Sequence, residues 1–509
     1  MPKTTIKLTL YLVDVLILIA SFLFFIWLKP SSINTYLPQF WFPFVIFLAI
    51  WLLFSVIGRK FFIISKPLKK AVSSALNINL VTAAFIFMLI YLFDLVHLSR
   101  LVVLGTMGLA TVLELILIYL VNQIMHAHPI QAEQLSNPKE ELELHDPLVD
   151  FSQSQLCQDS VRSFLEKEAS LNSNIKEFLV KNIPTDKIEN STFRLFNTAT
   201  VFNIASIVPN TLLLLVNLHK INDIKRINRY FIKVNYRLQA GGYFVGQVET
   251  IKVRFQKIMA HYPVGFNYLA YGIDFIFKRV IPKIPLLKQC YFALTKGKNR
   301  SISKTEVLGR LYYCGFKVEA LGEIDNKLVF AARKVNLPLR YQEPSYGPFI
   351  KLRRVGKDGE IINVYKFRTM HPYSEFLQEY IYENYKLDKS GKFKNDFRIT
   401  TWGKVFRRLW IDELPQLINW LQGDLRIFGV RAISQHYFSL YPEEVQEMRI
   451  KHKPGLVPPY YTDLPTEFEE IVESEKRYLL QKQEHPILTD IKYFCKAWWN
   501  IIFKGARSK

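Results

Sequence analysis

Residues 396–431 read DFRITTWGKVFRRLWIDELPQLINWLQGDLRIFGVR. Two adjacent carboxylates, Asp412 and Glu413, stand between Arg398, Lys404, Arg407 and Arg408 on one side and Arg426 and Arg431 on the other. A carboxylate pair among so many cations suits a metal ion and a phosphorylated substrate better than a hydrophobic core, where charges persist only when paired or metal-bound. Pro415 is tolerated only in a first helical turn, where its missing N–H is not needed, so Asp412 is placed near a helix N-terminus. Backbone N–H groups favour a phosphoryl group there. Asp is also a favoured N-cap residue, so on these residues alone a capping role and a catalytic role both stand.

Immediately upstream, residues 344–370 read PSYGPFIKLRRVGKDGEIINVYKFRTM. Lys357-Asp358-Gly359 is a turn signal between two strand-like runs, which predicts a β-hairpin. It carries Arg353, Arg354 and Lys357 on the way in and Lys366 and Arg368 on the way out. Alternation along a strand places Lys366 and Arg368 on one face and Phe367 on the other. Two cations on one face make a phosphate contact, although a solvated basic face has the same pattern.

The order KFRTM, D-x-R-I-T-x-x-G-x-x-x-R, DELPQL-x-N-x-L-x-G-D, G-x-R and KPG (Lys453–Gly455) resembles the polyprenyl-phosphate phosphoglycosyl transferases, the bacterial sugar transferase family. The last segment, ILTDIKYFCKAWWNIIFKGA at 487–506, is similar to that family's terminal amphipathic helix. The resemblance implies an α+β catalytic domain over 336–509 and a ping-pong reaction. A nucleotide-diphosphate sugar gives its sugar 1-phosphate to Asp412, and a membrane polyprenyl phosphate then collects it. This would begin exopolysaccharide, capsule or O-antigen assembly. On matching positions Asp412 is the nucleophile and Glu413 the ligand of Mg2+, which needs only one or two carboxylates besides phosphate and water. Lys366, Arg368, Arg398, Arg431 and Arg353 are the candidate phosphate-binding residues, the arginines by bidentate contact. The family implies a bacterial inner membrane and a cytosolic catalytic domain, with downstream glycosyltransferases or a second copy as candidate partners.

Four features depart from that pattern. Ile411 stands where the family places a small hydroxyl residue, and Gly429–Ala432 reads GVRA instead of GPRP. Lys453-Pro454-Gly455 continues as LVPPYY instead of a polar-glycine turn. No membrane re-entrant helix precedes the hairpin, since residues 300–343 are soluble in character. A non-catalytic relative, acting as a membrane-bound regulator that binds nucleotide sugar or a partner, is therefore the rival reading. Something else must also hold the site at the bilayer: the N-terminal helices, the segment Tyr268–Phe292, or the C-terminal helix, whose Trp498 and Trp499 favour the interface.

Four apolar runs, Leu8–Leu28, Phe40–Gly58, Ala75–Phe93 and Leu101–Val121, fill the first 125 residues. Each approaches the ~20 residues that cross a bilayer as a helix, so 1–125 is expected to be a four-helix transmembrane bundle. Lys3 and Lys7 precede the first run, and Arg59, Lys60, Lys66, Lys69 and Lys70 follow the second. The positive-inside rule puts both termini and everything beyond 125 in the cytosol. Asp14 and Glu114 interrupt the spans and are expected to serve packing or interfacial snorkelling, with an ion path as the alternative.

The net charge of +22 in 509 residues suits any polyanion. Aromatics do not interleave with the basic residues as a nucleic-acid stacking platform requires. The four cysteines, Cys157, Cys290, Cys314 and Cys495, lack metal or disulfide spacing.

Residues 126–150 are polar and acidic, a solvated linker. Beyond it, 151–335 alternates strand-like runs (193–204, 211–218, 243–248) with helical segments, an α/β layer. Arg226–Thr250, with Gly241-Gly242, and Leu308–Lys334, with Cys314-Gly315-Phe316, look like the C-terminal half of a class I methyltransferase. Residues 151–240 contain no glycine, so the turn that brings backbone against the cofactor has no residue to make it. A degenerate, cofactor-free Rossmann-like domain is expected. Tyr268–Phe292 is either a membrane-surface segment with Lys278, Arg279, Lys283 and Lys288 toward lipid phosphates or an ordinary buried helix and loop.

Overall fold

The computed structural model describes residues 2–28, 33–63, 66–94, 99–129, 147–152, 156–157, 159–168, 171–284, 287–339, 346–385, 396–465 and 467–504. Most of the expected linker, 130–146, lies outside them. Contacts divide the chain into two interleaved units, one of 1–129, 348–367 and 408–509, the other of 130–347 and 368–407. The units therefore cut through the expected transferase segment, assigning 368–407 to the second unit.

The first unit opens with helices α1 (Pro2–Trp27), α2 (Ile33–Ile57), α3 (Leu68–Leu92) and α4 (Arg100–Met125). All four are long and apolar enough to cross a membrane. Asp14 and Glu114 are fully buried among them, and Lys60 turns back into the bundle instead of remaining a loop cation. Lys60 Nζ lies 3.0 Å from Glu114 and 3.4 Å from Asp14. The Trp51 indole donates to both carboxylates at 3.2 Å, Ser55 to Asp14 at 3.0 Å and Asn79 to Glu114 at 2.8 Å. One ammonium thus faces both carboxylates, which lowers the cost of burying them, and interfacial snorkelling does not describe Asp14. Beyond α4 the chain forms a short strand, β1 (His128–Pro129), where a solvated linker was expected.

The second unit is built on a five-stranded sheet of β2 (Phe193–Phe196), β3 (Leu212–Lys220), β4 (Leu238–Val248), β5 (Phe316–Ile324) and β6 (Lys327–Lys334), in the order β2-β3-β4-β6-β5. The first three run parallel, and β6 is antiparallel to both neighbours. Burial on both faces explains the unbroken apolar run of β3. Leu212 and Leu215 pack with Tyr230, Phe231 and Phe244 on one side, while Leu214 and Val216 pack with Leu165, Leu179 and Val245 on the other. The expected first strand is shorter than its apolar run, because Val201–Ala205 is a helix. Gly241, at φ +83°, sits where the β3–β4 register jumps from Leu238 to Tyr243. Cys314-Gly315-Phe316 leads into the terminal hairpin as expected, and Gly315 takes φ +84°.

Within this unit the Tyr268–Phe292 segment belongs to α5 (Phe266–Phe275), a wider turn at Ile276–Val280, a tight turn at Pro282, and α6 (Leu287–Thr295). Two of its four expected lipid-facing cations point inward. Arg279 bonds Glu306 and the Ser301 carbonyl, and Lys283 lies over the Tyr346 ring at 4.8 Å.

The chain returns to the first unit as the hairpin β7 (Phe349–Val355) and β8 (Ile361–Phe367). Its turn has Asp358 at φ +56° and Gly359 at φ +77°. β1 pairs parallel with β7, His128 opposite Ile350. Helix α7 (Gln416–Gln422) and strands β9 (Arg426–Phe428) and β10 (Gly455–Val457) follow, then a long helix at Phe468–Glu484 and the terminal helix α8 (Pro486–Phe503). α8 buries Tyr493, Ala497 and Ile501 against Phe428, Tyr478 and Leu479, and leaves Trp498, Trp499 and Phe503 exposed. It is amphipathic, as expected.

Candidate active site

Asp412 and Glu413 lie in a tight turn, Ile411–Glu413, that directly precedes α7. Trp410 enters it at φ +56°, packed against the Tyr461 ring at 5.2 Å between centroids. Asp412 is buried, and Glu413 is partly exposed and ion-paired with Lys366 at 2.7 Å. The last residues of β8 and the carboxylate turn are thus joined by a charge-assisted contact.

Asn419, fully buried on α7, fixes that relationship. Its side-chain oxygen accepts from the Tyr365 backbone at 2.9 Å, and its nitrogen donates to the Asn363 carbonyl at 2.7 Å and to Asp424 at 3.3 Å. The helix carrying the Asp-Glu turn is therefore pinned to the strand carrying Lys366. Reading the sequence assigned Asn419 no role. Its position inside DELPQL-x-N-x-L-x-G-D was the available signal, since a buried amide needs several partners.

Arg431 is the second cation at this turn. It lies over the Tyr460 ring at 5.8 Å, and Arg449 donates to its carbonyl at 2.6 Å. Its side chain is exposed, and the nearby Glu413 carboxylate favours the charged guanidinium. Its loop rests on two glycines: a Cβ at Gly455 would lie 2.1 Å from the Gly429 nitrogen.

The remaining predicted residues are placed differently. Arg353 pairs across the hairpin with Asn363 and Lys366 with Ile350, which puts Arg353 on the opposite face from Lys366. β8 ends at Phe367, so strand alternation does not carry from Lys366 to Arg368. Arg368 and Arg398 both belong to the second unit. There Arg368 is buried and donates to the Gly347 carbonyl at 2.9 Å, and Arg398 contacts Asp396 through both Nε and Nη2 at 2.7–3.0 Å. Arg407, in the same unit, donates to the Thr369 hydroxyl at 2.9 Å. Arg426 is exposed and lies 3.9 Å from Asp490.

The site is attached to the apolar helices within its own unit. Helix α1 runs against α7, and Ile124 and Ala127 at the end of α4 pack with Phe349 and Tyr365 of the hairpin and Ile418 of α7. Among the described residues no three His, Cys, Asp or Glu side chains are grouped to hold a metal. Asp412 and Glu413 are a two-carboxylate set, which fits an ion that takes its other ligands from phosphate and water.

The family described as Bacterial sugar transferase matches residues 332–504, which include this carboxylate turn, Lys366 and Arg431. Residues 332–504 belong to the bacterial sugar transferase family. The galactosyl transferase CpsE of Streptococcus agalactiae serotype III is 34% identical to the transferase segment over 151 residues, 29% of this chain and 33% of that protein. The undecaprenyl-phosphate galactose phosphotransferase of Salmonella typhimurium is 36% identical over 109 residues, 20% of this chain and 23% of that protein. The UDP-glucose:undecaprenyl-phosphate glucose-1-phosphate transferase of Escherichia coli K12 is 36% identical over 115 residues, 22% and 23% respectively. The matched segment thus spans a third or less of the length of these three relatives. A solved putative S-adenosylmethionine dependent methyltransferase from Listeria monocytogenes covers 26% of the chain at 15% identity, with a TM-score of 0.18 that assigns no fold.

Proposed function

We propose that this sugar transferase moves a sugar 1-phosphate from a nucleotide-diphosphate sugar to a membrane polyprenyl phosphate, initiating a bacterial exopolysaccharide, capsule or O-antigen at the cytosolic face of the inner membrane. The observation that carries the reading is the buried Asp412 beside Glu413, with Lys366 at 2.7 Å from Glu413 and Arg431 at the same turn. An Asp412 carboxylate oxygen attacks the phosphorus that bears the sugar. The bond to the nucleoside monophosphate breaks, and that group leaves with the bonding electron pair. A phosphate oxygen of the polyprenyl phosphate then attacks the same phosphorus, and Asp412 departs as a carboxylate. The product is a polyprenyl-diphosphate sugar.

Each side chain has a defined task. Lys366 holds Glu413 in the absence of substrate and offers its ammonium to phosphate oxygens when a diphosphate enters. Arg431 supports the charge that spreads over the transferring phosphoryl oxygens, a role in which positioning and electrostatics do most of the work. Arg368 and Arg398 are kept as candidate phosphate ligands on the strength of the resemblance alone. Glu413 would hold Mg2+, which neutralises charge on the phosphates when bound. Names of relatives that include undecaprenyl phosphate support the lipid acceptor. The second unit's sheet, three parallel strands followed by the antiparallel β5–β6 hairpin, supports the layout of a methyltransferase-like half.

Membranes containing the protein, Mg2+ and polyprenyl phosphate are to be incubated with a panel of nucleotide-diphosphate sugars while nucleoside monophosphate is measured. Release with at least one donor, abolished in Asp412→Asn, is the expected result. No release from any donor would favour a non-catalytic regulator.

A further inference from the structure

Helix α5 is amphipathic with its polar side inward. Asp274 faces the unit's interior, where Arg254 grips both carboxylate oxygens at 2.6 and 2.8 Å, and Asn267 is buried. Tyr271 packs edge-on against Phe255 at 4.9 Å. The opposite stripe, at helical spacing of three and four, is Phe266, Leu269, Ile273 and Ile276, which are 68, 58, 61 and 55% exposed. Val264 before the helix is 93% exposed, and Leu294 on α6 is 77% exposed. Isolated apolar residues are ordinary on a surface, but a contiguous stripe of this kind marks an interaction site.

The segment that carries the stripe is strongly basic. Residues 251–300 contain ten Lys and Arg and a single acid, Asp274, which the interior uses. Lys252, Lys257, Lys288, Lys296 and Lys298 are exposed. An exposed apolar stripe in a basic segment matches the two attractions that hold an interfacial helix on an anionic bilayer, apolar burial and electrostatics. The same chain carries four helices of membrane-spanning length. A bilayer is therefore always within tethered reach, which raises its effective concentration over that of any free partner.

We infer that the outer face of α5, with Val264 and Leu294, lies in the interfacial layer of an anionic lipid bilayer, giving the methyltransferase-like unit its own membrane contact. The inference rests on the spanning helices and this surface, and is independent of the transferase reading.

The test uses the full chain in native membranes, with the photo-crosslinking residue benzoylphenylalanine placed at Leu269 or Ile273, and at Glu166, whose side chain is 69% exposed, as a solvent-facing control. After illumination, mass spectrometry reads the adducts. Phospholipid adducts at 269 and 273, absent at 166, are expected, together with a lower lipid yield in the Lys252→Glu and Lys288→Glu background. Absence of lipid adducts at 269 and 273 would overturn the inference. So would adducts there to a second copy of the chain or to another protein in place of lipid. The labelled side chains are exposed, so their replacement leaves the fold intact.

Discussion

Lys366 Nζ lies 2.7 Å from Glu413 Oε1, and this ion pair links the KFRTM strand to the Asp412–Glu413 turn. Both side chains keep some solvent exposure, 19 and 27%, so the pair contributes only about 0–1 kcal/mol to stability. Its weight falls on the transferring phosphate instead. Lys366→Met is expected to shift the melting temperature little while lowering nucleoside monophosphate release by about 100-fold or more, the scale for losing one preorganised electrostatic group. Thermal unfolding and turnover measured on the same preparation check this. A melting loss as severe as the activity loss would reduce Lys366 to a structural tie.

Inside the bundle, Lys60 is the cation shared by Asp14 and Glu114. Lys60→Met would leave two carboxylates buried without a counter-charge, a change worth about 3–5 kcal/mol. The full chain in detergent micelles is expected to unfold at markedly lower temperature, and Asp14→Asn with Glu114→Gln in the same variant should recover much of the loss. A triple variant no more stable than Lys60→Met would show that charge pairing is not what the lysine provides.

Gly455 leaves no room for a side chain, since a Cβ would stand 2.1 Å from the Gly429 nitrogen and 2.5 Å from the Phe428 carbonyl carbon. Backbone cannot yield as a flexible side-chain end does. Gly455→Ala must therefore push β10 from β9 and displace the Gly429–Arg431 loop. Turnover is expected to fall by at least tenfold while the protein still fractionates with membranes. Gly423→Ala is a milder control, because the nearest atom to its Cβ is the Lys453 Nζ at 3.8 Å, although its φ of +78° carries a cost of its own. Equal losses in the two variants would rule out displacement of the Arg431 loop as the cause.

His371 in the second unit is held neutral. Burial, then the nearby Arg279, lowers its pKa from 6.5 to about 3, and Lys283 acts in the same direction while Glu306 opposes it. Between pH 6.5 and 3 the unfolded chain binds a proton that the folded one refuses, so this histidine's contribution is complete above pH 6.5 and is lost as pH falls toward 3. A tenfold difference in proton affinity corresponds to about 1.4 kcal/mol, reduced by screening because the residue is only partly buried. Wild type in nanodiscs is expected to lose more melting temperature between pH 7 and pH 5 than His371→Asn does. Identical losses would place the acid sensitivity elsewhere.

What could be read from the chain depended on whether the cause was local. The four spans, the hairpin at Asp358-Gly359 and the amphipathic terminal helix follow from runs, turns and periodicity that neighbouring residues define. Lys60 was misplaced as a loop cation because its partners lie 46 and 54 residues away, beyond any local pattern. The hairpin was legible, but the relation between Arg353 and Lys366 was not, since it depends on the cross-strand register. Nor could it be read that β8 stops one residue short of Arg368, or that 368–407 joins the second unit, because contacts distant in sequence decide both. Asn419 shows the opposite case, a residue visible in the motif whose task emerged only with its three hydrogen-bond partners.

The most direct measurement concerns the bond that Asp412 is proposed to form. Purified protein, given Mg2+ and its nucleotide-diphosphate sugar with radiolabel in the sugar-linked phosphate, is to be quenched in the absence of polyprenyl phosphate and digested. One label per active chain is expected on the peptide containing Asp412, with one equivalent of nucleoside monophosphate released, and the label should pass to lipid when polyprenyl phosphate is added. No label on the protein while lipid product still forms, or label undiminished in Asp412→Asn, would contradict phosphosugar transfer through this carboxylate.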